Sequence, residues 1–200
     1  FYPVNSGFGE NNSKWGMEGK VMTYSSGKLG RKSLAYQGSQ EEDIYAVFFD
    51  QSDFDEFKLS KEDYNSLKDK KALDKKSKKE DKEDKDKKKD KDKVEKVKPL
   101  ELNLENLDSR KVKLTINSAS IGDYILAKDG SKLFYLAAFE KGYDLWVTEP
   151  RTKETKILAK LDGSPSGMAL SDDGKTLFLI NKGQLSKVNT ESGKVEAISV

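Results

Sequence analysis

Between Tyr124 and Lys160 the chain alternates short apolar runs with turn-forming residues in a regular order. Tyr124-Ile125-Leu126-Ala127 is a short apolar strand, and Lys128-Asp129-Gly130-Ser131 follows as a turn, Asp-Gly being a strong hairpin signal. Lys132 to Ala138 is rich in apolar and aromatic residues, the pattern of a strand buried on both faces. Glu140-Lys141-Gly142 predicts a second turn and Asp144 to Thr148 a third strand. Pro150-Arg151-Thr152-Lys153 breaks that strand, and Thr155 to Ala159 supplies a fourth. Four short antiparallel strands in roughly forty residues match the size of one β-propeller blade.

The unit recurs. Gly174 lies 44 positions after Gly130, and Asp172-Asp173-Gly174 matches Lys128-Asp129-Gly130. Leu177-Phe178-Leu179-Ile180 then matches Leu133-Phe134-Tyr135-Leu136, with Gln184 to Val188 as a weaker third strand and Lys194 to Val200 as the outer one. Near the start, Gly19 to Tyr24 corresponds to a second strand and Asp43 to Phe48 to a third. The predicted fold is therefore all-β: consecutive four-stranded antiparallel blades of a partial propeller, with one long disordered charged insertion. Blade one takes residues 1–50, the insertion 51–98, the closing strands of blade one 99–116, blade two 117–160 and blade three 161–200. Residues 1–13 are expected to hold the innermost strand of blade one and its loop. In the closing segment, Leu100, Leu102 and Leu104 alternate with polar residues as a half-buried strand, and Arg110 to Ile116 reads as another.

Composition changes this picture at one place. Charged residues make up 36% of the chain and its net charge is +2, yet the 31 residues from Lys68 to Lys98 hold 16 lysines and 10 acids. That tract carries +6, so the remainder is mildly acidic at −4. Its five uncharged residues cannot offset the entropy of ordering it, which predicts a solvated, mobile insertion, with a short amphipathic piece around Phe54, Phe57, Tyr64 and Leu67 ahead of it. A nucleic-acid tail is disfavoured, because acids are interleaved throughout and the tract has neither arginine nor a base-stacking aromatic. No 18-residue apolar run exists to span a membrane. The chain opens on Phe1 with neither Met nor a signal-peptide pattern, as expected of a piece of something longer.

Candidate chemistry is sparse. The chain has no histidine and no cysteine, which removes the commonest general base, the commonest metal ligand, thiolate chemistry and disulfides. Gly163-Ser164-Pro165-Ser166-Gly167 has Pro where a nucleophile elbow needs Ser, and reads as an inter-blade loop. Asp172-Asp173 reads as turn chemistry, since the acids of a calcium loop are spaced apart. Asp84-Lys85-Asp86 lacks the glycine and distal glutamate of such a loop, and Gly7-Phe8-Gly9 lacks the third glycine of a dinucleotide turn. Asn11-Asn12-Ser13 has the form of a glycosylation sequon, a triplet common by chance. Trp15 and Trp146 are expected to pack between blades. Glu140 and Asp144 form no glycosidase pair. No catalytic, cofactor-binding or metal-binding residue is assigned, and no cofactor is expected.

Three stretches, in order, carry a family resemblance. Trp15 to Tyr24 (WGMEGKVMTY) resembles the W-S-P-D-G-K-W-M-Y entry of a blade in tricorn-like serine peptidases, relatives of the C-terminal-processing peptidases, with Gly16-Met17-Glu18 in place of Ser-Pro-Asp. Glu101 to Val112 is similar to their I-D-L-E-G-L-x-x-R-V outer strand, and Phe139 to Val147 to one of their blade hairpins. The resemblance implies a large envelope or cytosolic protease whose propellers frame access to a separate serine-nucleophile domain, with a PDZ module between them. It implies as partners peptide or unfolded-protein substrate, further blades and the peptidase domain, and a bacterial envelope location with the cytoplasm as the other option. The competing class is a stand-alone binding propeller. About 150 residues outside the insertion make roughly three and a half blades at 40–45 residues each, fewer than the four to eight of closed propellers. The open edges would then meet further blades or a second copy.

Overall fold

The computed structural model describes residues 9–31, 41–83, 102–139 and 142–199. Among these, twelve strands form three four-stranded antiparallel sheets. The first contains β1 (Glu10–Gly16), β2 (Val21–Ser26), β3 (Asp43–Phe48) and β4 (Lys111–Lys113). Helices α1 (Gln51–Lys58) and α2 (Lys61–Glu83) lie in the chain between β3 and β4. The second contains β5 (Ser120–Leu126), β6 (Leu133–Ala138), β7 (Tyr143–Glu149) and β8 (Glu154–Gly163). The third contains β9 (Ser166–Leu170), β10 (Thr176–Asn181), β11 (Gln184–Asn189) and β12 (Val195–Ala197). Every strand pairs with its neighbour in sequence within its own sheet, and β1 touches β5, which touches β9. First strands side by side and last strands outermost are the arrangement of propeller blades.

The turns explain why the 44-residue spacing survives. Asp129 accepts hydrogen bonds from the Ser131 amide at 3.0 Å and its hydroxyl at 2.6 Å. Asp173 repeats this with the Lys175 amide at 3.0 Å and the Ser171 hydroxyl at 2.6 Å. Gly130 between them takes φ +68°, and a Cβ there would sit 2.9 Å from Met17 Sδ and 3.1 Å from Phe57 Cε2, so the turn needs glycine for both backbone and space.

Packing follows from strand period two. Along β6, Leu133, Tyr135 and Ala137 face blade one and join Val21, Ile44, Ala46 and Phe48 in one core. The alternate residues Phe134 and Leu136 face blade three and join Leu145, Leu177, Leu179 and Val188 in a second. The apolar run of Lys132 to Ala138 is thus used on both faces, each fully buried large side chain contributing roughly 1.5–3 kcal/mol. Blades two and three also touch at the rim, where Gly193 (φ +71°) lies against the Leu158 carbonyl oxygen and any side chain would collide with it.

The closing segment of blade one differs from the sequence reading. Residues 102–104 form no strand, Leu102 and Leu104 are exposed, and the strand that closes the sheet is confined to Lys111–Lys113. The reason is Arg110. Its buried guanidinium donates to the Phe48 carbonyl at 3.0 Å and the Asn103 carbonyl at 2.8 Å, holding the chain as a loop ahead of a 3-10 turn at Leu107–Arg110. Leu107 of that turn is buried beside Val47 and Phe49.

The start of the insertion is helical. Asp50 caps α1 through the Ser52 and Asp53 amides, at 2.7 and 3.3 Å, and Phe54 and Phe57 pack on Phe48 at ring distances of 5.6 and 4.9 Å. Ser60 caps α2, its hydroxyl accepting the Asp63 amide at 3.1 Å and donating to the Asp63 carboxylate at 2.9 Å. The backbone of α2 continues into the charged tract as far as Glu83. Gly7, Phe8, Asp84, Lys85, Asp86, Leu100 and Glu140 lie outside the described residues.

Phe48→Ala is expected to lower the unfolding free energy by about 3–5 kcal/mol, because it empties the contact between sheet and α1. Leu102→Ala is expected to change it by less than about 0.5 kcal/mol. Urea unfolding of both variants checks this; a Leu102 cost comparable to that of Phe48 would contradict the loop assignment.

Candidate functional site

The inner strands meet at one carboxylate. Asp123, on β5, forms an ion pair with Lys14 of β1, accepts a 3.4 Å hydrogen bond from the Asn12 side chain, and accepts the Tyr124 amide at 2.8 Å. Its other oxygen accepts the Met168 amide of β9 at 2.9 Å. Lys14 also donates to the Tyr124 carbonyl at 2.8 Å and lies over the Tyr124 ring, while the Tyr124 hydroxyl donates to the Asn12 carbonyl. One side chain therefore joins all three blades near their common axis. Burial alone would raise the Asp123 pKa; the Lys14 hydrogen bond, the Met168 and Tyr124 amides and the Lys14 charge outweigh it and hold the carboxyl below its usual value. Sequence reading passed over this residue. Its one signal was an acid placed outside any turn, in the middle of what proves to be an inner strand.

The residues nominated from sequence are scattered. Asp173 serves its turn, and Asp172 makes an exposed ion pair with Lys128 at 2.7 Å. Asp144 accepts the Leu161 amide at 3.1 Å. Gly163 ends β8, and Ser166 and Gly167 begin β9, so the Gly-Ser-Pro-Ser-Gly stretch joins blades two and three. Asn11 and Asn12 lie on β1, with Asn12 engaged at the Asp123 node. Trp146 packs partly against the blade one–blade two core and meets Phe139 edge-on at 4.7 Å. Trp15 departs from expectation: it is 61% exposed and meets Phe49 in a tilted ring contact at 5.4 Å, on the side of blade one turned away from blade two. Among the described residues no group of three or more acidic side chains is placed to hold a metal ion.

The notable surfaces are the two outer flanks. On blade two, Phe134, Leu136 and Leu145 are buried against blade three, Leu136 and Leu145 facing each other across the β6–β7 pair. The matching positions of blade three are Phe178, Ile180 and Leu185, with Ile180 and Leu185 paired in the same way. They are apolar too, but Ile180 is 46% and Leu185 39% exposed. At the other end, Tyr24 and Tyr45 are paired across β2 and β3 and stacked at 5.5 Å, the positions that Tyr135 and Trp146 fill in blade two. They floor a hollow of about 500 Å³ rimmed by Lys28, Lys111 and Lys113. Burial pushes the Tyr24 hydroxyl up to about 12 and raises that of Tyr45, whose buried oxygen has no hydrogen-bond partner. A cleft of about 400 Å³ between blades two and three carries mixed charge from Lys132, Glu149, Glu154, Lys156 and Glu191.

Comparison with known proteins places the fold. No family model matches the chain, and no curated protein matches it in sequence. Among solved structures, the tricorn protease superposes over 98% of this chain with a TM-score of 0.56 at 10% identity. TolB from Acinetobacter baumannii superposes over 99% with a TM-score of 0.54, also at 10% identity. Both are propeller proteins, and the chain has their fold. It spans 18% of the tricorn chain and 34% of TolB.

Asp123→Asn is expected to cost about 2–3 kcal/mol near pH 6, the worth of charged hydrogen bonds in a partly buried site. Because the folded pKa lies below the unfolded one, this contribution is full above the usual carboxylate value of about 3.9 and is lost as pH falls through the folded value. Unfolding of both proteins by urea from pH 7 to pH 2 should show the gap closing below about pH 4; a gap that stays constant to pH 2 would contradict an ionised Asp123 at the node.

Proposed function

We propose that the chain is a non-catalytic propeller segment of a tricorn-like serine peptidase, guiding or filtering peptide substrate toward a catalytic domain outside these residues. The observation that carries this reading is the outer face of blade three. Phe178, Ile180 and Leu185 repeat the residues that blade two buries against its neighbour, as a face meant to receive a further blade would. The fold likeness to the tricorn protease over 98% of the chain supports it, as do the three ordered sequence resemblances. A chain without histidine suits a role that leaves acyl-transfer chemistry to another domain. Unfolded peptide is the partner this role requires, and the envelope of a bacterium is the compartment that goes with it; a cysteine-free chain is compatible with that location.

An antibody against the chain, used on extracts of its source cells, tests the reading. Captured protein should react with a fluorophosphonate serine probe and hydrolyse casein peptides, while the purified 200-residue chain does neither. Captured protein of about 22.5 kDa without probe labelling would favour a stand-alone binding propeller instead. Hydrolysis that tracks the purified chain would overturn both readings.

A further inference from the structure

The helices α1 and α2 follow blade one in sequence and reach blade two as well as blade one in space. Phe57 of α1 lies under Gly130 of the β5–β6 turn and within the blade one–blade two core. Lys20 of blade one pairs with Asp53 of α1 at 2.7 Å, and Lys71 of α2 pairs with Glu56 of α1 at 2.6 Å. Past β7, Arg151 sends its guanidinium over the Tyr64 ring of α2, 3.7 Å from its centroid, with the Phe57 ring 5.3 Å away. Its Nε is buried and has no hydrogen-bond partner, so stacking on the two rings is the described contact that holds this group. Beside it, Lys61 at the start of α2 reaches Glu149 at 3.2 Å.

We propose that α1 and α2 form a strap across the seam of blades one and two, with Arg151 as its latch. The choice of latch rests on physical chemistry. The Lys61–Glu149 and Lys71–Glu56 pairs are solvent-exposed and salt-screened, so they hold little. A guanidinium stacked on tyrosine and shielded from water holds more, and the planar group fits where a lysine ammonium does not. Burial lowers the Arg151 pKa, against the opposing influence of Tyr64, Asp129 and Glu56, as expected of a cation drawn out of solvent by its aromatic neighbours. The charged tract that follows is thereby launched from a helix fixed beside the β7–β8 turn of blade two.

Hydrogen exchange of the chain tests the latch. Arg151→Ala should speed exchange of the α2 amides between residues 61 and 73 by about tenfold while leaving β6 and β10 unchanged. Tyr64→Ala, which alters the helix and no blade residue, should release the same amides, and Arg151→Lys should restore at most part of the protection. Raising NaCl to about 1 M should leave wild-type α2 protection within about twofold. Unchanged α2 exchange in Arg151→Ala, acceleration spread equally through β6 and β10, or release of α2 by salt alone would each overturn the proposal.

Discussion

The Asp123 carboxylate is the point on which the three blades depend jointly. Propeller blades otherwise meet face to face, so each is coupled only to its neighbours. Asp123 reaches past that limit, pairing with Lys14 on blade one while accepting the Met168 amide on blade three. A carboxylate in this setting is held by charge-assisted hydrogen bonds that outweigh its burial. Losing it would take from Lys14 its ion-pair partner and from the Tyr124 and Met168 amides their acceptor, a cost felt across both seams.

Around that node the architecture is a chain of equivalent interfaces. Blade two is saturated: β6 spends alternate residues on blade one and blade three, and both sets are buried. The end blades each spend one face. Blade one leaves Trp15, Met22 and the Tyr24–Tyr45 pair on its far side, partly covered by Leu107 and the loop that Arg110 pins. Blade three leaves Phe178, Ile180 and Leu185. Apolar residues on a far face at the register of a buried one are hard to account for unless that face is covered in the working protein. The seam of blades one and two receives an extra element, α1, whose Phe54 and Phe57 extend the core beyond the sheets.

Strand identity in blades two and three was legible in sequence because period-two patterning and Asp-Gly turns state the same thing twice, and the turn hydrogen bonds at Asp129 and Asp173 are local. Three other features were not. Leu102 and Leu104 alternate like a strand, but the Arg110 guanidinium claims the Asn103 carbonyl while anchored to Phe48, 62 positions away, a contact that periodicity does not see. The helix of the insertion runs further into the charged tract than composition suggested, because Ser60 caps it and Arg151, 87 positions after Tyr64, stacks on it. Asp123 gave little warning, since its partners lie on strands far away in sequence. Of the acids weighed in sequence, Asp173 could be read as a turn residue because its hydrogen bonds are local.

The central claim is that the outer face of blade three is an interface between blades. Because the chain contains no cysteine, Ile180→Cys creates a unique thiol on that face. Its alkylation rate, read by mass spectrometry on the peptide carrying residue 180, should be compared between the 200-residue chain and the native protein in its source cell. The account predicts ready labelling of the chain and at least about tenfold protection in the native protein, the signature of a site buried in the assembled state. Equal labelling in both would mean that the face is free, and the chain would then stand as a binding propeller of its own.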